Sequence, residues 1–203
     1  MSRSRRSRVV TVMEREIKLG LVARIKTGDS AAFEIVYEAF RACLFSFLVR
    51  LSRRRDVAED LLEETWLRFV ARARDLSADT CLAAWLYTVA RNQHASWCRN
   101  RALHEERISD LTPSWPALAP GETPFEAASR TETERRLERA LACLTLRDRE
   151  VLLLVAVEDL TPSEAASSLG LTPEALRKRL QRARERLAIE MAEEEAPPQA
   201  KAG

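Results

Sequence analysis

Apolar residues recur along most of this chain at spacings of three and four, and strand-like alternation is nearly absent. Phe33, Val36, Tyr37, Phe40, Leu44, Phe47, Leu48 and Leu51 form one such stripe, the pattern of a helix with one buried face. Asp29 and Ser30, directly after Gly28, offer its N-cap. A second helix opens at Asp56 and turns Ala58, Leu61, Leu62, Trp66, Phe69 and Val70 to one side. A third runs from about Leu82 to Arg101 with Trp85, Leu86, Val89 and Ala90 inward, and a shorter helix through Ile17, Leu21 and Ile25 completes an N-terminal bundle.

The texture changes after about Arg107. The stretch Leu111 to Pro124 holds four prolines and a glycine, which cannot continue a helix and reads as a linker. Helical pattern resumes near Phe125 and runs to about Met191. The predicted fold class is therefore all-α, with two small helical domains and a flexible Pro-rich tether. The expected division is a disordered basic start (1–13), a first domain (14–107), the linker (108–126), a second domain (127–191) and a polar acidic tail (192–203).

Composition narrows the partners. The chain of 203 residues carries 33 Lys and Arg against 31 Asp and Glu, a formal net charge of +2. No whole-chain field drives nucleic-acid binding, so any such binding must come from local clusters. Cys43, Cys81, Cys98 and Cys143 form no CxxC and read as free thiols in a reducing compartment. The longest charge-free stretches, Thr80–Ala90 and Leu111–Gly121, have eleven residues each, too few to span a bilayer. Val9 to Met13 is too short for a signal-peptide core. These features predict a cytoplasmic protein without membrane insertion.

The second domain contains helix-turn-helix anatomy. Thr161 can cap a helix that has Pro162 at its first position and Glu164 three residues on. Gly170 ends it, and Thr172 with Pro173 starts the next. Ala165, Ala166 and Leu169 are placed to pack against Leu176 and Leu180. The following helix is the one offered to a DNA major groove. Between Arg177 and Leu187 it carries six basic residues (Arg177, Lys178, Arg179, Arg182, Arg184, Arg186) and one acid, Glu185. Arginine suits bidentate contact with guanine and phosphate; a solvated, highly charged helix is the plainer alternative.

The first domain carries two further clusters. Asp56, Glu59, Asp60, Glu63 and Glu64 recur at helical spacing as one acidic face. It reads either as a solvated face balanced by Arg53, Arg54, Arg55 and Arg68 or as a docking surface for a basic protein. The third helix mixes Trp85, Tyr87, Arg91, Asn92, His94, Trp97, Arg99 and Arg101. Asn can read a base edge and aromatics can stack on an unpaired base, although a helix packed by its tryptophans fits these residues equally. His94 and Cys98 stand four apart, and His104 follows, but a closed zinc site needs about four ligands; no metal site and no cofactor are expected. No Gly-rich phosphate loop or nucleophile elbow is present, which disfavours an enzyme and leaves no catalytic residue to name.

Three stretches in order resemble a bacterial RNA polymerase sigma factor of the extracytoplasmic-function group. They are Asp56-Val-Ala-Glu-Asp-Leu-Leu-Glu-Glu-Thr-Trp-Leu-Arg-Phe69, Ala84-Trp-Leu-Tyr-Thr-Val-Ala-Arg-Asn92, and Leu146-Arg-Asp-Arg-Glu-Val-Leu-Leu-Leu154 followed by the helix-turn-helix and Arg182-Ala-Arg-Glu-Arg-Leu187. The resemblance covers roughly residues 17 to 188. It implies a promoter-specificity subunit that binds core RNA polymerase and recognises −10 and −35 promoter elements. Asp56, Glu59, Asp60, Glu63 and Glu64 would dock on the clamp helices of the largest subunit, and the second domain would meet the flap of the second largest. Asn92, Arg91, Arg99 and Arg101 would serve the −10 element. A base flipped from the non-template strand would enter a pocket lined by the loop Asp75 to Cys81. Thr172, Arg177, Lys178, Arg179, Gln181 and Arg182 would read the −35 duplex. An anti-sigma protein is a further partner of many members.

Some residues depart from the family's usual pattern. Ala175-Leu-Arg-Lys-Arg179 stands where Thr-Val-Lys-Ser-Arg is frequent, and Glu174 replaces a common Gly. Ala165 replaces a larger aliphatic, Ser96 a common Asp and Trp97 a common Tyr. Two other classes stay open at this stage: a stand-alone helix-turn-helix transcription regulator, and a degenerate sigma-like interaction protein.

Overall fold

The computed structural model describes residues 18–105, 131–158 and 160–193. The basic start (1–13), Ile17, the tether (108–126) and residues 194–203 of the acidic tail lie outside the described residues, and so does the side chain of His104. Among the described residues all regular structure is helical: α1 (Lys18–Lys26), α2 (Ser30–Ser52), α3 (Arg55–Arg72), α4 (Leu82–Glu105), α5 (Glu132–Cys143), α6 (Leu146–Leu152), α7 (Pro162–Leu169) and α8 (Pro173–Glu193). A 3-10 turn over Ala73–Asp75 follows α3, and a π-turn over Leu153–Val157 extends α6.

Local chemistry explains the boundaries. The Asp29 carboxylate accepts from the Ala31 and Ala32 N–H groups at 2.9 and 3.2 Å, satisfying donors that the first turn of α2 leaves open. Arg24 also donates to Asp29, and these bonds hold its carboxyl below the usual carboxylate range. Arg53 ends α2 in the left-handed region at φ 58°. The second predicted helix begins one residue earlier than expected: Arg54 is its extended N-cap, and Asp56, in the first turn, accepts from the Arg54 guanidinium.

Helices α2, α3 and α4 are tied by aromatic rings. Phe33, Tyr37, Trp66, Phe69 and Trp85 contact one another with centroids 5.0–6.4 Å apart, close enough for favourable tilted and edge-to-face pairs. One expected core residue is outside: Val70 is 57% exposed, and so is Leu67. A helical stripe must turn once per 3.6 residues, and Trp66 and Phe69 already occupy the buried arc of α3.

The two helical groups, α1–α4 and α5–α8, share one apolar cluster. It runs from Leu21 and Val22 through Leu86 and Ala90 to Leu153, Leu169 and Leu176. Helix α4 packs on α7, and α2 approaches α6. The hydrophobic periodicity of each helix gives no sign of this packing.

Candidate nucleic-acid and polymerase interface

The helix-turn-helix is built as its sequence specifies. Thr161 and Glu164 form a reciprocal capping box, with Glu164 N–H on Thr161 Oγ1 at 3.3 Å and Thr161 N–H on Glu164 Oε2 at 2.9 Å. Gly170 takes the left-handed conformation at φ 63°, which a Cβ would disfavour. Thr172 Oγ1 accepts from the Ala175 N–H at 3.2 Å and starts α8. Leu176, Leu180 and Ala183 are buried beneath that helix.

The outer face of α8 is therefore free for contact. Thr172, Arg177, Lys178, Gln181, Arg182 and Arg184 are exposed, whereas Arg179 is half-buried. Two departures from the family pattern are physically coupled: Lys178 Nζ lies 2.8 Å from Glu174 Oε1, one helical turn away. Gln181 donates to Glu185 at 3.0 Å. Arg186 is not part of this open face in the same way, because its guanidinium pairs with the buried Asp148.

The acidic face of α3 is also open. Asp56, Glu59, Asp60 and Glu63 are exposed and Glu64 is half-buried. Arg55 pairs with Glu59 at 3.0 Å and Arg68 with Glu64 at 2.9 Å, both one helical turn apart. Among the described residues Asp60 and Glu63 carry no ion pair. Exposed Leu67 and Val70 extend the same helix with apolar surface. The sequence reading missed this patch, because it assigned Val70 to the core.

Helix α4 differs from the expectation in what it leaves open. Asn92 and Arg99 are exposed. Arg91 donates to Glu150 Oε1 at 3.2 Å and to Asn92 Oδ1 at 3.3 Å. Arg101 lies over the Trp97 ring at 5.5 Å, a cation–π distance, and the His94 ring stacks near Trp97 with centroids 6.0 Å apart. Tyr87 is buried and donates its phenol to Glu158, so in this packing it cannot stack on a base. Burial and the neighbouring Glu158 raise its pKa well above the usual value. In the loop after α3, Ser77 donates to Asp79, and Cys81 at its end lies 2.9 Å from Glu164 of α7.

His94 and Cys98 do meet, with Sγ 3.6 Å from Nε2. Burial lowers His94 to about 4 and, as the larger influence, raises the Cys98 thiol. A neutral imidazole beside a protonated thiol fits packing. Among the described residues no group of three His, Cys, Asp or Glu side chains could hold a metal ion. Cys43, Cys81 and Cys98 are half-buried and Cys143 is exposed, and none of the four is in a disulfide. Among the described residues no helix is long and apolar enough to cross a membrane.

The buried charges of α6 were not foreseen from sequence. Arg149 donates to the carbonyls of Leu141, Ala142 and Leu144 at 2.8–3.0 Å, closing the C-terminal end of α5. It also reaches the Leu51 carbonyl of α2 at 3.5 Å. Burial pushes its pKa down. Burial pushes Glu150 up, with Arg91 pulling against it. The available signal was a run of four charged residues, Arg147-Asp148-Arg149-Glu150, leading directly into Val-Leu-Leu-Leu.

Known proteins agree with this arrangement. The family description "Sigma-70 region 2" matches residues 36–103, and "Sigma-70, region 4" matches residues 134–187. A probable RNA polymerase sigma factor RfaY of Xanthomonas campestris pv. campestris is 35% identical over 141 residues, covering 67% of this chain. The match spans 35% of that relative, so this chain accounts for about a third of its length. Among solved structures, the sigma factor RpoE of Bartonella quintana, in complex with the anti-sigma factor NepR, has a TM-score of 0.65 at 23% identity, covering 79% of this chain and 96% of its own. CnrH, in complex with the cytosolic domain of CnrY, has a TM-score of 0.62 at 21% identity, covering 83% and 93%. The chain belongs to the sigma-70 family of RNA polymerase sigma factors, carrying region 2 followed by region 4.

Proposed function

We propose that the chain is a promoter-specificity subunit that binds core RNA polymerase in the cytoplasm and directs transcription initiation. The observation that carries this reading is the succession of regions 2 and 4 on one chain, the first presenting an open acidic face and the second an open basic helix. A stand-alone regulator has no need for the α3 face. Asp56, Glu59, Asp60, Glu63 and Glu64 are assigned to the polymerase clamp helices, with the flap as the partner of the second domain. Asn92, Arg91, Arg99 and Arg101 are assigned to the −10 element, where arginine and amide groups suit base edges and phosphates. Thr172, Arg177, Lys178, Arg179, Gln181 and Arg182 are assigned to the −35 duplex. The polymerase supplies the chemistry of RNA synthesis, so the role requires no cofactor of this chain. An anti-sigma protein is part of the proposal, because RpoE of Bartonella quintana is held by one.

The direct test is binding of the purified chain to core polymerase. Wild type binds, and Asp60→Lys/Glu63→Lys loses binding while keeping its helical circular dichroism, since both side chains are exposed. Retained polymerase binding by the double variant contradicts the assignment of the α3 face.

A further inference from the structure

One basic residue on the outer face of α8 is held differently from its neighbours. Arg177, Arg182 and Arg184 are exposed and carry no ion pair among the described residues. Lys178 is exposed too, but its Nζ lies 2.8 Å from Glu174 Oε1, four residues earlier, with 64% and 68% of the two side chains open. Two local forces hold the acid there. Glu174 stands in the first turn of α8, where a carboxylate meets the positive end of the helix dipole. An acid four residues before a lysine is also the favoured order for a helical pair. Helical side chains lean toward the N-terminus, so the Lys178 ammonium is drawn back over the first turn. That is the end of a recognition helix that contacts base edges.

The consequence lies in what a lysine does beside a duplex. An unpaired ammonium on a flexible stem takes a nearby phosphate, a contact that carries no sequence information. An ammonium tied to a carboxylate has its charge offset and its pull on phosphate reduced. Its remaining N–H donors still suit guanine O6 and N7, the acceptors that lysine reads in the major groove. A phosphate approaching the first turn also meets the Glu174 charge. In bulk water such an exposed pair contributes little, but where DNA displaces water the same pair tightens.

We propose that Glu174 is a specificity-determining positioning residue, which holds Lys178 off the DNA backbone and turns it to a guanine of the −35 duplex. The inference rests on the assignment of α8 to that duplex and adds Glu174 to it. Glu174 itself touches no base in this account; it acts through Lys178. The two departures from the family pattern are then one device. The lysine without the acid adds affinity blind to sequence, and the acid without the lysine repels DNA.

Selection of duplexes from a random-sequence pool by the full chain tests this. The enriched duplex is then titrated by fluorescence anisotropy, with each base pair replaced in turn and at several salt concentrations. Wild type prefers guanine at one position by roughly fivefold or more. Lys178→Ala loses that preference and keeps the wild-type salt slope, since the paired lysine displaces no counterion from phosphate. Glu174→Gln loses the same preference, binds all duplexes more tightly, and has a slope steeper by about 1. Adding Lys178→Ala to Glu174→Gln returns the slope to the wild-type value. Both side chains are exposed, so the circular dichroism of every variant matches wild type. A Glu174→Gln chain that binds more tightly yet keeps the guanine preference overturns the inference. So does a Lys178→Ala chain whose slope becomes shallower while Glu174 is present. Either result leaves α8 a duplex-reading helix. A wild type that enriches no sequence from the pool removes the −35 assignment itself, and the inference falls with it.

Discussion

Helices α4 and α8 are both long, both rich in arginine and both assigned to promoter DNA, yet they meet their surroundings differently. Helix α8 buries one narrow stripe, Leu176, Leu180 and Ala183, and exposes Arg177, Lys178, Gln181 and Arg182. Helix α4 is covered on more than one side. Leu86 and Ala90 are fully buried, Tyr87 and Arg91 engage the second group, and Gln93 and His94 are also buried. A basic residue on a helix with one buried face is open to a partner. The same residue on a helix packed between two groups is already engaged. On the proposed assignment, the basic groups of α8 stand open to DNA, whereas on α4 Arg91 is already paired with Glu150.

The comparison is tested most strongly through the core that both helices share. Leu86→Ala and Leu176→Ala, at fully buried positions, are each expected to lower stability by about 2–5 kcal/mol. Because one apolar cluster joins the two groups, urea denaturation followed by circular dichroism should show one transition moving in both variants. Two separate transitions, each moved by only one substitution, would break the picture of a shared core.

The buried end of α4 also predicts acid sensitivity. His94 is held at about 4 by burial, below its ordinary 6.5. A depressed histidine keeps the folded state neutral while the unfolded chain takes up a proton. Stability therefore falls as pH drops from 6.5 toward 4, by about 3 kcal/mol at the lower end from this group. Glu150, raised by burial, works in the opposite sense over the carboxylate range. Urea midpoints across that window should flatten in His94→Gln relative to wild type.

On α8 the expected effects concern binding more than folding. Arg177→Ala should weaken duplex binding by about 1–3 kcal/mol if it contacts a base, and relax selectivity at one position. A titration against promoter duplexes that differ at single base pairs checks this. The smallest effect is expected from the exposed Glu174–Lys178 pair. A double-mutant cycle to alanine should return a coupling of about 0.5 kcal/mol or less in stability. A larger coupling in DNA affinity than in stability would mark the pair as part of the reading surface.

Much of this organisation was legible in the sequence because it is local. Asp29, the Thr161–Glu164 box, Gly170 and Thr172 each act within a few residues, and each does in the structure what its spacing specifies. The acidic face of α3 was legible for the same reason. Val70 misled because it continues an apolar run past the arc that packing can bury. Glu150, Tyr87 and Arg91 were not legible, since their partners lie 59 and 71 residues away, and nor was the reach of Arg149 to Leu51 across 98 residues. Burial of a charge depends on a distant partner, and single-chain periodicity carries no record of one.

The central claim is that this chain confers promoter selectivity on RNA polymerase, and run-off transcription tests it most directly. Core polymerase should be combined with the purified chain on sheared genomic DNA of the source organism. The account predicts new, discrete transcripts with wild type and none with Asp60→Lys/Glu63→Lys. A chain that binds core polymerase but yields no discrete transcripts from any fragment would contradict it.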